Sequence, residues 1–147
     1  HAGLRWIGVS INGTINSAYF KWRSSDFGDT NQRIYGIDED NPAAPTNFDE
    51  FDADPFTSAF VNWDYYVYGE NQSPSLITIF QELVDSYTIE DDAVMLQIRG
   101  VGGTIGEYDD YGDGYYCPLH IEYSPPAPTP TPVADGDLIG IGIIRKS

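Results

Sequence analysis

Oxygen ligands are the most concentrated chemical resource in this sequence. Residues 108–114 read Tyr-Asp-Asp-Tyr-Gly-Asp-Gly, so Asp109, Asp113 and Gly114 fall at positions 1, 5 and 6 of an EF-hand-like calcium loop. Position 3 is Tyr111 and position 12 is His120, and flanking helices are absent, so the stretch is not an EF-hand. Calcium takes six to eight oxygens in flexible geometry, and acidic loops of β domains can supply them. Asp109, Asp110 and Asp113 are therefore candidate calcium ligands. A second acidic loop spans residues 38–55 and holds seven acids and no base; Asp38, Asp40, Asp49, Asp52 and Asp54 are its candidates. Crowded carboxylates repel one another, and a divalent ion would offset that cost. The plainer reading of both loops is solvated turns, in which Asp and Gly are common.

Other chemistry finds less support. Paired carboxylates hydrolyse glycosides, but no pair among the 23 acids stands out. His1 and His120 are the only histidines, and no Ser-His-Asp order emerges. Cys117 is the single cysteine, which excludes an intrachain disulfide and reads as a buried thiol. The run Gly100-Val101-Gly102-Gly103-Thr104-Ile105-Gly106 lacks the third glycine of a dinucleotide fingerprint. It is followed by acids, which repel phosphate. The expectation is a protein that is not an enzyme. A net charge of −16, from 23 acids and 7 bases, argues against nucleic acid and anionic membrane surfaces as partners, because both would be repelled. No apolar stretch reaches the length of a membrane span.

The elements that would carry these groups read as strands. Aromatics make up 14% of the residues, and Gly and Pro together number 25, the composition of an all-β domain with many turns. Residues 4–11 read as a strand with Ile7, Val9 and Ile11 on one face and Leu4, Trp6, Gly8 and Ser10 on the other. Asn12-Gly13 predicts a two-residue hairpin into a returning strand over 14–23. Asn12-Gly13-Thr14 also fits the N-glycosylation pattern, so Asn12 is a candidate glycan site, although the turn reading is preferred. Further strands are expected at 33–37, 59–68, 93–101 and 115–123, with Leu119, Ile121 and Tyr123 facing inward. One helix is expected at about 75–86, with Ser73 as N-cap and Pro74 in its first turn. Its apolar residues would be Leu76, Ile79, Phe80, Leu83 and Tyr87. The fold class is mainly β: a β-sandwich or jelly-roll-like body with about one short helix, plus an extended C-terminal arm and strand.

The end of the chain sets the functional reading. In residues 138–146, Ile139, Ile141 and Ile143 share one strand face. Gly140 and Gly142 lie on the other, with Leu138 and Ile144 at its ends. Before this strand, Pro125, Pro126, Pro128, Pro130 and Pro132 favour stiff polyproline II, which spans roughly 28 Å over residues 124–132. Residues 133–137 add about 15 Å if extended. A return hairpin needs only about two to five residues, so this arm suits a longer reach. The division is a sandwich body over 1–123, a proline-rich arm over 124–137 and a donor strand over 138–147. Thr129 and Thr131, set between prolines, are candidate O-glycosylation sites. The chain begins at His1 without methionine, which reads as the product of processing.

This plan resembles subunits of extracellular filaments assembled by donor-strand complementation, such as chaperone–usher pilins and archaeal thread and bundling-pilus proteins. The likeness lies in the order of body, arm and strand, not in a residue motif, and most of those families carry the donor strand at the N-terminus. The resemblance implies a structural protein at the cell surface or outside the cell. It would be a pilus-like homopolymer in which the strand of one copy enters the next, and it would be open to covalent glycans. The second reading is a calcium-dependent carbohydrate-binding β-sandwich whose C-terminal strand inserts into its own body.

Overall fold

The computed structural model describes residues 2–24, 28–101 and 117–128. They form two antiparallel sheets packed face to face. The strands are β1 (Ala2–Ile11), β2 (Thr14–Ser24), β3 (Gly28–Ile37), β4 (Phe56–Tyr66), β5 (Gly69–Gln72), β6 (Ile89–Gly100) and β7 (Leu119–Ser124). Two helices, α1 (Phe48–Ala53) and α2 (Ile77–Ser86), interrupt them. One sheet has the order β1-β6-β3-β4 and the other β5-β2-β7. This is the mainly β, sandwich-like body expected from composition.

The core lies between the sheets. Ile34, Leu96 and Ile98 of the larger sheet are buried, as are Ile15, Ala18 and Phe20 of the smaller. Three aromatics span the layers at the middle: Trp63 meets Phe20 at 5.5 Å and Trp22 at 5.2 Å, both edge to face. Such pairs add to the stabilisation from burial alone. Strand β6 is buried on both faces from Ala93 to Ile98. Its outer face is covered by the segment between β3 and β4. Phe51 O of α1 accepts from Gln97 Nε2, and Asn41 Oδ1 accepts from Ala93 N.

The Asn12-Gly13 turn is present, but it does not make a hairpin. Among the described residues β1 pairs only with β6, and β2 pairs with β5 and β7, so the turn arches from one sheet to the other. The reason is burial: Ile11 and Ile15 both point into the core, which sets the two strands face to face rather than edge to edge. Gly13 has φ +80°, and any Cβ there would meet Ser124 O and Pro126.

The faces of β1 also differ from strict alternation. The register shifts between Trp6 and Val9, and Gly8 takes φ +69°. This bulge puts Leu4, Trp6, Val9 and Ile11 against the core, and leaves Ile7 74% exposed. A second irregularity between Ile15 and Ser17 explains why β2 does not alternate cleanly.

The predicted helix is α2, with Ile79, Phe80 and Leu83 buried as its spacing requires. Its start is different. Ser73 does not cap it; Ser73 N donates to Phe20 O and its Oγ accepts from Phe20 N, so Ser73 extends the pairing along β2. The acidic segment, expected as loop, contains the short helix α1. Asn47 Oδ1 accepts from Glu50 N, and Glu50 Oε2 accepts from Thr46 N and Thr46 Oγ1. These reciprocal bonds nucleate the turn.

Candidate functional site

The site is built from two strands that each lack a second neighbour. Among the described residues, β1 pairs only with β6 and β7 pairs only with β2. Both edges lie on the same side of the sandwich. Between them runs an open groove of about 310 Å³ lined by Trp6, Ile7, Val9, Ile11, Leu119 and Ile121. Every lining residue is apolar. Trp6 bridges one end, with its Nε1 donating to Cys117 O at 2.7 Å and its ring 6.1 Å from Phe20. The Asn12-Gly13 turn and Ser124 mark the other end.

The opposite side is partly covered by a helix. Helix α2 packs on β4, β2 and β3. Glu82 accepts from Ser58 N and Ala59 N of β4 through its two carboxylate oxygens, at 2.6 and 2.7 Å. Leu76 N donates to Ala18 O, which extends the cover on the second edge of β2. On this side β4 is capped at Ser58 and Ala59 and β2 at Ala18, whereas no described strand or helix comes between β1 and β7 on the groove side. Exposed strand edges template pairing with further chain, and proteins ordinarily blunt them.

The two open edges are not equivalent. The bulge at Ile7-Gly8 breaks the run of backbone groups along β1, and bulges disfavour added pairing. Strand β7 has no extra residue of its own: at the Ile15/Ser17 irregularity the insertion, Asn16, is on β2. Leu119 and Ile121 of β7 are half-buried and pack against the core, as predicted, and they line the groove, whereas Tyr123, also expected to face inward, is 37% exposed.

Cys117 sits at the Trp6 end. Burial pushes its thiol up to about 12, so it stays protonated and is no nucleophile at neutral pH. Of the candidate metal ligands, Asp109, Asp110 and Asp113 lie outside the described residues. In the other loop, Asp38 receives the Tyr87 hydroxyl on its main-chain O at 3.0 Å and on Oδ1 at 3.2 Å. Asp52 pairs with Arg99 at 2.7 Å. Asp40 is exposed, and Asp54 is half-buried. Among the described residues no group of three or more His, Cys, Asp or Glu is placed to hold a metal ion. Asn12 is exposed in its turn. Pro125, Pro126 and Pro128 are exposed beyond β7. Pro130, Pro132, Thr129, Thr131 and the strand residues Leu138, Ile139, Ile141, Ile143 and Ile144 lie outside the described residues.

Asp54 supplies a test of the acidic segment. Its Oδ2 is buried without a hydrogen-bond partner, and burial, then the nearby Glu50 charge, holds its carboxyl above the usual range. A raised folded-state pKa means that ionisation opposes folding. The cost is full at neutral pH and fades as pH falls through the raised pKa toward the ordinary carboxylate range. Asp54→Asn should therefore raise the melting temperature slightly at pH 7, with the gain vanishing near pH 4. Thermal melts across that range check it.

Comparison with protein-family models, curated proteins and solved structures finds no match to this chain.

Proposed function

We propose that this chain is the structural subunit of an extracellular helical filament, polymerising by insertion of its C-terminal strand into the groove of a neighbouring copy. The observation that carries this reading is the groove itself: it is lined by Trp6, Ile7, Val9, Ile11, Leu119 and Ile121 and lies between two strands that, among the described residues, each pair on one side only. The occupant comes from the same sequence. Residues 138–144 offer Ile139, Ile141 and Ile143 on one face. Seven extended residues span about 23 Å, close to the roughly 20 Å of the six-residue β7. Main-chain bonds to a free edge would give affinity, and the isoleucines in the groove would give fit. A contact between two different surfaces of the same subunit does not close on itself and generates an open helix. The −16 charge suits exposed, soluble filament surface rather than a nucleic-acid or membrane partner.

Negative-stain images of native material should show filaments one subunit wide. Uniform single particles would overturn the reading. Saturable, calcium-dependent glycan binding by subunits unable to polymerise would replace it with the sugar-binding one.

A further inference from the structure

We infer that the inserted strand adds to the free edge of β7, parallel to it, turning the three-stranded sheet into a four-stranded one with the order β5-β2-β7-donor. This rests on the strand-exchange reading above and adds to it the edge used and the direction of the strand.

The edge follows from regularity. Strand β1 carries the bulge at Ile7-Gly8 in the middle of its groove segment, so its backbone groups cannot ladder continuously with a straight strand. Strand β7 offers an unbroken six-residue edge. A strand beside β7 would continue the face that carries Leu119 and Ile121. Its isoleucines would meet Trp6, Val9 and Ile11 across the groove. The two sheets would then have equal width, and the groove would close.

The direction follows from where the chain leaves the body. Strands β2 and β7 are antiparallel, with Thr14 opposite Ser124 and Phe20 opposite Leu119. Strand β7 therefore ends beside the Asn12-Gly13 turn, and Pro126 lies against Gly13 there. An antiparallel strand in the same body would have to start at this end, within one strand spacing of about 5 Å of Tyr123 and Ser124. A polyproline II arm over 125–132, as its prolines favour, would carry the chain about 25 Å away. The five residues 133–137 would bring it back by no more than about 17 Å. A tight return into the same end would then be out of reach. When copies stack head to tail in one orientation, the arm leaves the turn end of one body. It then meets the opposite end of the next, where Trp6 and Cys117 stand. Entry there runs the donor toward the turn end, in the direction of β7.

Introduced cysteines make this testable. Leu119 lies at the entry end of β7 and Tyr123 at the other, and the unreactive Cys117 is replaced by Ser throughout. Ile139→Cys and Ile143→Cys are introduced separately into the full chain carrying Cys117→Ser and Leu119→Cys, and a short bismaleimide is added under assembly conditions. The same two changes are made in a Cys117→Ser, Tyr123→Cys background. With Leu119→Cys, Ile139→Cys should give a ladder of covalent multimers on a denaturing gel and Ile143→Cys should not. With Tyr123→Cys the preference should reverse. Unlinked material imaged alongside shows whether each variant still assembles. The opposite pairing in both backgrounds would overturn the parallel direction and leave strand exchange standing. Filaments that form but link in neither background would overturn the β7 edge. Linkage confined to single chains would overturn strand exchange itself, as would monomers that link in neither background.

Discussion

A chain shortened by residues 133–147 is expected to lose assembly and to melt well below the full-length protein. On the strand-exchange proposal, it would lose the apolar contact of three isoleucines with the groove of Trp6, Val9, Ile11, Leu119 and Ile121. Each fully buried isoleucine is worth about 1.5–3 kcal/mol, so the gross loss is roughly 5–9 kcal/mol. Whole domains of this size hold only about 5–15 kcal/mol, so the open body is left marginal. A synthetic peptide of residues 133–147 should bind the shortened body as a ligand. At a hundred times its Kd it adds about 2.7 kcal/mol. For about 150 residues that corresponds to a rise of roughly 5–10 °C in Tm. A Leu119→Cys thiol in a Cys117→Ser chain reports occupancy independently, since Leu119 lines the groove; its reaction with a thiol reagent should slow when peptide is present. A shortened chain that stays monomeric with an unchanged Tm and ignores the peptide would remove the basis for strand exchange.

The parts of this body that were legible in sequence are those where local pattern and burial agree. Leu76, Ile79, Phe80 and Leu83 repeat at helical spacing and all are buried. Val61 and Trp63 face the core along β4, as their alternation indicates. The parts that were not legible depend on contacts distant in sequence. A serine before a proline has the chemistry of a cap, yet Ser73 is drawn off by Phe20, 53 residues away. Asn12-Gly13 encodes a tight turn but not whether its strands share a sheet, because that depends on which faces the core buries. The bulge in β1 could have been suspected from Gly8, which interrupts an apolar run. The partner irregularity at Asp91, with φ +60°, has no such signal. The groove follows the same rule. Its lining residues looked like ordinary core positions of two strands more than a hundred residues apart. Only the sheet order shows that no described strand comes between them.

Two single substitutions, one on each partner of the contact, should separately abolish filaments and together restore a defined pair. Ile141→Asp places a carboxylate at the centre of the donor face, and Ile121→Asp places one in the groove wall. Burying an unpaired charge costs several kcal/mol unless it neutralises. A cost of about 4 kcal/mol weakens the contact roughly a thousandfold. Neither variant should polymerise alone, because every contact in a homopolymer then contains one defective side. The Ile141→Asp subunit nevertheless keeps an intact groove, and the Ile121→Asp subunit keeps an intact strand. Mixed, they should form one sound contact per pair, with the strand of the second in the groove of the first. The pair cannot grow, because the strand left over carries the Ile141→Asp charge and the groove left over carries the Ile121→Asp charge. Light scattering of the mixture should therefore show heterodimers and nothing longer, while each variant alone stays monomeric. Raising the pH above neutrality should leave the block intact, and lowering it toward the carboxylate range should relieve it as the introduced carboxylates protonate. Filaments formed by either variant alone at neutral pH, or a mixture that stays monomeric, would show that the strand and the groove are not partners.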